Sequence, residues 1–511
     1  MSAKPLLAQA HSPSHDQDAA QLAELGYKPE FERDLSLRAN FALGFTYLSP
    51  VVGVYTLFGL SLATAGPPMF WSFVIVGIGQ LLVALVFGEI VSQYPVAGGV
   101  YPWARRLWGR RWAWMTGWVY LIALLMTIAG VTYGAGPYLG QLLGFTAGTG
   151  TTITCALIIL AVALAINLGG TQWLAWAATL GFAAELLGAI AVGGWLLATE
   201  RHHGLGVLFD TFGAGSQGSY LTAFLAAGLI GIFQYYGFEA CGDVAEEVPD
   251  PTRRIPKAMR MTIYIGGAAA MFVCLSLLLA VKDYAAVIDG TDPDPLTTIL
   301  DSAFGVVGAK VVLAVVMLSF LSCAMSLMAA ASRLMYSYGR DNMIIGAKAL
   351  RFFLPSRRVP PYAMIVAAVI PALIVLGSII SADALTAIIS FATLGIYLGF
   401  QMVVLAALRA RIKGWRPSGA FQLRGWGLPV TIGAQVYGVL AMINIAWPRT
   451  PDAPWYTNWI VVLSAAVVIG SGWLYLLVRR PHDRSDAPAG DAVRSSTPHT
   501  AVAAPQMEPT T

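Results

Sequence analysis

Residues 221–247 read LTAFLAAGLIGIFQYYGFEACGDVAEE, and this stretch decides the fold. It is apolar over the length that crosses a membrane, yet three glycines weaken a helix near its centre: Gly228, Gly231 and Gly237. Four polar residues fall at the same depth: Gln234, Tyr235, Tyr236 and Glu239. Backbone that leaves helical geometry inside a bilayer must be buried in protein or line a cavity, because lipid cannot pair the freed N–H and C=O groups. The stretch therefore predicts an interrupted helix beside a cavity.

A second interrupted span lies at residues 41–63, FALGFTYLSPVVGVYTLFGLSLA, with Ser49, Pro50 and Gly53 at its centre. Pro50 has no N–H to donate and its ring clashes with the preceding turn, so backbone groups are expected to be free there. Two interrupted spans in corresponding halves of a membrane protein are typical of a binding site near the bilayer midplane. The alternative is a simple proline kink in a continuous helix.

The composition predicts a polytopic membrane protein. The 511 residues are 57% hydrophobic and 11% charged, with a mean hydropathy of +0.67, whereas soluble proteins carry about 25% charged residues. Apolar stretches of about 20 residues, the length that spans a bilayer, predict an all-α fold of twelve transmembrane helices. These spans are residues 41–63, 70–92, 113–139, 151–168, 173–198, 221–243, 261–281, 304–337, 362–381, 384–408, 427–447 and 457–478.

The basic residues predict the orientation of the chain. Of the 31 Lys and Arg residues, all but four fall in the tails or in loops on one side of the predicted spans. The four on the other side are Arg201, Lys282, Lys310 and Arg449. Basic residues favour the cytoplasmic side, so both termini are expected to be cytoplasmic in a multi-pass protein of a bacterial-type plasma (inner) membrane.

Metal, disulfide and nucleic-acid sites find no support in the sequence. All four cysteines lie in predicted spans without metal-binding or disulfide spacing: Cys155, Cys241, Cys274 and Cys323. The net charge of +4 is spread over loops rather than gathered on a domain. We therefore expect no metal, no cofactor and no nucleic-acid partner.

The chain divides into five predicted segments. Residues 1–38 and 481–511 are expected to be disordered cytoplasmic tails because they combine small, polar and charged residues without periodicity. The interrupted spans are numbers 1 and 6, which cross in opposite directions because they are five apart. Residues 39–200 and 201–410 are therefore predicted to form inverted repeats of five spans, followed by two further spans in residues 411–480.

Three motifs on the predicted cytoplasmic side resemble those of permeases of the amino acid–polyamine–organocation (APC) superfamily. They are EIVSQYPVAGGVYPW at residues 89–103, GFEACGDVAEEVPDPTRRIP at 237–256 and ASRLMYSYGRD at 331–341. The resemblance extends over residues 41–480, and the Gly66-Pro67-Pro68 turn is similar to the amino acid/choline transporter branch. It implies a five-plus-five inverted repeat with discontinuous helices 1 and 6, two C-terminal helices, and alternating access to a substrate held at the breaks.

The candidate substrate-binding residues lie at the two interruptions. They are Ser49, Pro50, Val51, Val52 and Gly53 in span 1, and Phe233, Gln234, Tyr235, Tyr236, Gly237 and Phe238 in span 6. The N–H groups that begin the second half of span 1 are expected to bind a carboxylate, and the carbonyls that end the first half an ammonium. Aromatic faces in span 6 can hold a cation, although they usually serve packing. The resemblance implies Phe233 as a lid and Tyr236-Gly237 as the unwound segment.

Acidic residues inside spans are candidates for coupling, because burying a carboxylate in a membrane is costly. Glu185, near the middle of span 5, is the proton-coupling candidate; alternatively it hydrogen-bonds a neighbouring helix as a structural group. Glu239 is expected either to bridge helices or to meet a substrate amine. Ser322 and Ser326 could bind Na⁺ with span 1 carbonyls, or could bond the carbonyl four residues back. All six histidines lie outside the spans, so a proton relay would have to use a carboxylate: His11, His15, His202, His203, His482 and His499.

An inner gate is predicted on the cytoplasmic side. Glu246 and Glu247 follow span 6, and four arginines offer partners: Arg105, Arg106, Arg333 and Arg340. Buried pairs among them, with Arg333 as the main candidate, would close that side. Simple solvated charges are the alternative.

These features together predict a secondary active transporter rather than an enzyme. It is expected to import an amino acid or related small amine, coupled to H⁺, by alternating access. The alternatives are an uncoupled or obligate exchanger, or a carrier of choline, γ-aminobutyrate or polyamine, with Na⁺ as another coupling ion. A channel would need a filter sequence, and an enzyme a metal or nucleophile cluster facing one compartment, and the sequence shows neither. The substrate, coupling ion, direction and oligomeric state stay open.

Overall fold

The computed structural model describes residues 13–216, 218–379, 382–449 and 453–488. Within these ranges the chain is helical, without a β-strand, which confirms the all-α prediction. The helices of the first half are α1 Pro13–Glu24, α2 Leu37–Leu48, α3 Pro50–Ala65, α4 Trp71–Gln93, α5 Val100–Trp108, α6 Arg110–Leu143, α7 Thr149–Leu168 and α8 Thr171–Thr199.

The second half begins with a series of short helices where span 6 is interrupted. Its helices are α9 Tyr220–Ala227, α10 Leu229–Gln234, α11 Ala240–Asp243, α12 Pro251–Met261, α13 Gly267–Ala280, α14 Tyr284–Ile288, α15 Pro295–Arg340, α16 Ala347–Leu350, α17 Pro361–Gly377, α18 Ala382–Ile412, α19 Gly427–Ala446, α20 Trp455–Asn458 and α21 Ile460–Arg479. A π-helical turn, Thr262–Gly266, joins α12 to α13.

Ten helical stretches of the described chain are long and apolar enough to cross a membrane, so the protein is a multi-pass membrane protein. Two shorter apolar helices, Tyr220–Gln234 and Pro361–Gly377, fall where spans 6 and 9 are predicted. The twelve predicted spans therefore correspond to ten long and two short helices in the same order. Twelve complete crossings, and the inverted relation of the two repeats, stay predictions.

The first break lies where Pro50 begins a new helix. α2 ends at Leu48, and Ser49 adopts φ 42° and ψ 92°, outside helical geometry. Pro50 then occupies the first turn of α3, where its missing N–H costs nothing. The Ser49 Oγ accepts a hydrogen bond from the Val52 N–H at 3.2 Å and so caps α3. The predicted interruption of span 1 is confirmed.

The second break spans Tyr235 to Glu239, between α10 and α11. Gly237 has φ +117°, a backbone conformation that L side chains rarely adopt. Gly231 has a different role, because a Cβ there would lie 2.9 Å from the Ser72 carbonyl oxygen. It allows α10 to approach α4 closely, whereas Gly237 permits the break itself.

The N-terminal segment differs from the disordered tail that its composition predicts. Residues 13–24 form α1, and the side chains of Leu22, Tyr27 and Phe31 are buried. Phe31 packs edge-to-face against Tyr336 at 5.2 Å. The physical reason is that a few apolar residues suffice to anchor a segment once the folded protein presents a complementary surface.

The C-terminal segment also packs where it is described. The Asp486 N–H donates to the Asp341 carbonyl oxygen at 3.1 Å, and Arg105 donates to the Pro488 carbonyl oxygen at 2.6 Å. Residues 1–12 and 489–511 of the two predicted tails lie outside the described residues.

We predict that Tyr27→Ala releases the N-terminal segment. Tyr27 is buried and donates to Asp341 Oδ1 at 3.0 Å; loss of a buried aromatic costs about 3–5 kcal/mol. Trypsin cleavage after Arg33 of the purified chain, detected by mass spectrometry, should accelerate about tenfold or more. Glu24→Ala, which changes an exposed residue of α1, is the control. Equal cleavage rates in the two variants would contradict the packing described here.

Candidate functional site

The two breaks meet inside the helix bundle. The Gln234 Nε2 donates to the carbonyl oxygens of Leu48 at 3.1 Å and Ser49 at 3.3 Å. Gly53 lies against the Gln234 amide, where a Cβ would collide with it, and a Cβ on Gly237 would lie 2.6 Å from the Leu48 nitrogen. The carbonyls freed at the end of α2 are thus satisfied by a side chain of span 6.

Glu185 caps the second half of span 1. Its Oε1 accepts from the Ser49 Oγ at 2.6 Å and from the Val51 N–H at 3.0 Å. The side chain is fully buried, and Oε2 has no hydrogen-bond partner among the described residues. The N–H groups that the sequence assigns to a substrate carboxylate therefore already bind oxygen atoms of the protein: Val51 binds Glu185, and Val52 binds Ser49.

A cavity of about 460 Å³ lies above the breaks on the predicted outer side. The interrupted spans contribute Val52, Thr56 and Leu57 from α3 and Leu229 and Phe233 from α10 to its wall. The rest comes from α6, α15, α18, α19, the residues that follow α19 and the start of α21. Most of its lining is apolar, with four hydroxyl-bearing residues: Thr56, Thr127, Tyr133 and Thr393. Arg449 is the one charged residue among the described residues that line it.

The other candidate residues of the breaks lie away from this cavity. Tyr236 packs behind Phe233, with ring centroids 5.5 Å apart. Tyr235 points towards Phe73, and Phe238 is buried against Phe87 and Phe400. Val51 lines a separate small apolar cavity beside α8, and Pro50 is buried at the start of α3. Of the four aromatic residues that the sequence predicts at the site in span 6, Phe233 lines this cavity, and Tyr235, Tyr236 and Phe238 do not.

Glu239 joins the second break to α6. Its Oε2 accepts from the Gly237 N–H at 2.8 Å, and its Oε1 accepts from the Tyr120 hydroxyl at 3.0 Å. This arrangement supports the helix-bridging interpretation over direct contact with a substrate amine. Asp243, one turn further along, is also fully buried, and neither carboxylate oxygen has a hydrogen-bond partner among the described residues.

The two serines of span 8 make contacts within the protein. The Ser326 Oγ lies 2.8 Å from the Thr46 Oγ1, and the Ser322 Oγ donates to the Ser319 carbonyl oxygen at 3.1 Å. Ser322 therefore bonds the carbonyl three residues back rather than four. The Ser326 hydroxyl therefore joins α15 to α2, and the Ser322 hydroxyl bonds the backbone of α15 itself.

The residues predicted to form an inner gate make ion pairs inside the protein. Arg333 donates from Nε and Nη2 to the two Glu247 oxygens at 2.8 and 3.2 Å, and both side chains are buried. The Thr171 hydroxyl also donates to Glu247, at 2.6 Å. Arg340 pairs with Glu246 at 3.0 Å. Burial favours the gate over the alternative of solvated charges.

Asp341 is a member of this cluster that sequence reasoning missed. It accepts from the Tyr101 hydroxyl at 2.8 Å and lies 3.7 Å from the Arg105 Nε. Burial raises the pKa of Tyr27 to about 12, so this hydroxyl stays protonated and donates to Asp341 at 3.0 Å. Arg106 donates instead to the Leu25 carbonyl. The available signal was the position of Asp341 beside Arg340 in the third motif.

Comparison with known proteins supports a common family. A family model described as amino acid permease matches residues 35–470. The chain is 27% identical over 490 residues to an amino-acid permease BAT1 homolog of Oryza sativa subsp. japonica, covering 90% of this chain and 94% of the relative. It is also 27% identical over 476 residues to L-asparagine permease 1 of Mycobacterium tuberculosis, covering 89% of this chain and 92% of the relative.

We predict that Gly237→Ala disrupts the contact between the two breaks. A side chain at φ +117° is strained, and the new Cβ would overlap the Leu48 nitrogen. We therefore expect the free energy of unfolding to fall by about 1–3 kcal/mol or more. The melting temperature in detergent should fall. Gly194→Ala is the control, because a Cβ there meets nothing within 4 Å. Similar melting temperatures for both variants would refute the proposed contact.

We predict that Arg333→Gln destabilises the protein because it leaves Glu247 buried without its ion-pair partner. Removing one partner of a buried ion pair costs about 3–5 kcal/mol, and Arg333 and Glu247 are 0% and 1% exposed. Arg358→Gln is the matched control, because Arg358 and Glu32 form a pair that is about half exposed and worth about 1 kcal/mol or less. Thermal unfolding in detergent should show a clearly larger loss for Arg333→Gln, and an equal loss would argue against a buried gate.

Proposed function

The chain belongs to the amino acid permease family, and from this membership we propose that it is a secondary active transporter of an amino acid that works by alternating access. The observation that best supports the proposal is the one-sided arrangement of the described chain. A cavity opens above the two breaks on the predicted outer side, while buried ion pairs close the predicted cytoplasmic side. We propose that the plasma membrane is its location and that both termini are cytoplasmic.

The transport cycle requires the inner cluster to separate. Glu247 follows span 6, whereas Arg333 lies on span 8, so movement of span 6 relative to span 8 breaks their pair. A substrate drives this movement only if it binds one state better than the other. Val52 and Phe233 come from the two interrupted spans and face the same cavity. A ligand in contact with both can therefore favour closure of the outer side.

We propose Glu185 as the proton-coupling residue. Its carboxylate accepts hydrogen bonds from Ser49 and Val51 at the positive end of α3, where a negative charge is favoured. Protonation removes that charge and weakens the cap, which couples proton binding to the geometry of the first break. An exchanger without ion coupling is the alternative, in which Glu185 is only a structural cap. Na⁺ coupling is less favoured, because the Ser322 and Ser326 hydroxyls already have protein partners.

Transport itself is tested with the purified chain in proteoliposomes. The labelled panel comprises L-asparagine, which the name of one relative indicates, L-leucine, L-glutamate, L-arginine, γ-aminobutyrate, choline and spermidine. Uptake is measured with an imposed pH gradient, with a Na⁺ gradient, and by counterflow without either. Accumulation or counterflow of at least one amino acid is expected. Absence of both for every amino acid, with correctly folded protein, would overturn the proposal.

We predict that Glu185→Gln abolishes accumulation driven by a pH gradient and keeps counterflow exchange. The amide still accepts hydrogen bonds from Ser49 and Val51 but cannot bind and release the proton. Glu200→Gln is the matched control, because Glu200 follows the same helix and is partly exposed. Unchanged pH-driven accumulation in Glu185→Gln would show that Glu185 is structural.

A further inference from the structure

We infer that Arg449 binds a carboxylate in the outer cavity and that the ligand is an amino acid with an uncharged, apolar side chain. This inference rests on the transport function proposed above and specifies its substrate class. Arg449 is half-buried at the predicted outer side of the cavity. Arg201, Lys282 and Lys310 share that side by sequence but do not line this cavity.

The local structure holds the Arg449 guanidinium in place. Nη2 donates to the Asn444 backbone oxygen at 2.5 Å and to the Asn444 Oδ1 at 2.6 Å. Nη1 donates to the Trp447 carbonyl oxygen at 3.3 Å. A guanidinium has five N–H donors, so these bonds to neutral acceptors position the charge and leave donors for a carboxylate. Such a charge-assisted bond is stronger than one between neutral groups.

The Val51 and Val52 N–H groups at the first helix break are already hydrogen-bonded within the protein. The Val51 N–H donates to Glu185, and the Val52 N–H donates to Ser49. Pro50 has no N–H. The cation of Arg449 is therefore the group best suited to bind a carboxylate among the described residues around the cavity.

The cavity can also bind the ammonium group of an amino acid, although none of the described residues that line it is acidic. The hydroxyls of Thr56 and Thr127 donate to helix carbonyls at 2.6 and 2.8 Å. Their oxygen atoms keep lone pairs that can accept from an ammonium. Both residues line the cavity, as does Thr393.

Charge and volume exclude other ligand classes. None of the described lining residues is acidic, and Glu185 and Glu239 bind protein donors outside the lining. A polyamine or choline would place an unpaired cation near Arg449, which is unfavourable in a cavity with apolar walls. A volume of about 460 Å³ suits one small molecule. The apolar walls favour an aliphatic or aromatic side chain over a second charged group.

The experiment compares L-leucine with isopentylamine, which has the same side chain and amine but lacks the carboxylate. Binding is measured as competition against labelled L-leucine on the purified full chain, and transport is measured in proteoliposomes. Wild-type protein should bind isopentylamine about tenfold more weakly or worse, because a hydrogen bond to a charged group is lost. Spermidine and choline should not compete.

Variants of Arg449 assign this difference to one residue. Arg449→Gln should weaken L-leucine binding about tenfold or more and remove most of the preference over isopentylamine, and Arg449→Lys should retain part of it. Arg201→Gln, at an exposed outer residue, should change neither. Asp452 lies three residues along the sequence and outside the described residues, so Asp452→Asn tests for a contribution of its charge and should preserve the preference.

Failure of this inference and failure of the proposed function give different results. Binding of L-leucine with the expected Arg449 dependence but no transport supports the inference and contradicts the transport function. Transport of spermidine or choline, or an unchanged preference in Arg449→Gln, overturns the inference and leaves transport in place. Failure of every apolar amino acid to bind folded protein also overturns it.

Discussion

The structure depends on how the backbone groups freed at two helix breaks find partners inside the membrane. Lipid offers no donor or acceptor to such groups, so each partner must come from the protein itself. The Leu48 and Ser49 carbonyls bind Gln234, the Val51 N–H binds Glu185, and the Gly237 N–H binds Glu239. Spans 1, 5 and 6 are therefore tied together by the same interactions that allow spans 1 and 6 to be broken.

This constraint also places polar chemistry in the centre of an apolar protein. A carboxylate that caps a helix is part of the backbone hydrogen bonding and is also a titratable group. Glu185 combines both properties at the first break. A change in its charge therefore acts directly on the geometry of α3, whose residue Val52 faces the outer cavity. The proposed coupling needs no long pathway, because Glu185, on α8, caps the helix that carries Val52.

A different kind of interaction, the buried ion pair, lies on the predicted cytoplasmic side. Arg333 and Glu247 are buried and paired. Arg340 pairs with Glu246 and lies over the ring of Tyr27, which donates to Asp341. A buried ion pair gains attraction but loses hydration, so its net contribution to stability is modest while both partners are present. Opening towards water restores that hydration. Such a cluster can therefore hold one side closed without making the alternative state inaccessible, which the proposed alternating access requires.

The sequence by itself determined the all-helical membrane architecture, the order of the spans and the positions of both breaks, because hydropathy and the backbone chemistry of Pro50 and Gly237 are local properties. It also brought Glu247 and Arg333 to the same side by their place in the topology. Only the tertiary structure decided that Tyr235 and Phe238 face away from the cavity, since an interrupted helix has no fixed periodicity. It likewise decided that Glu185 binds Val51, 134 residues away, and that the N-terminal segment packs against the inner cluster. These contacts depend on how distant helices approach one another, which no local pattern encodes.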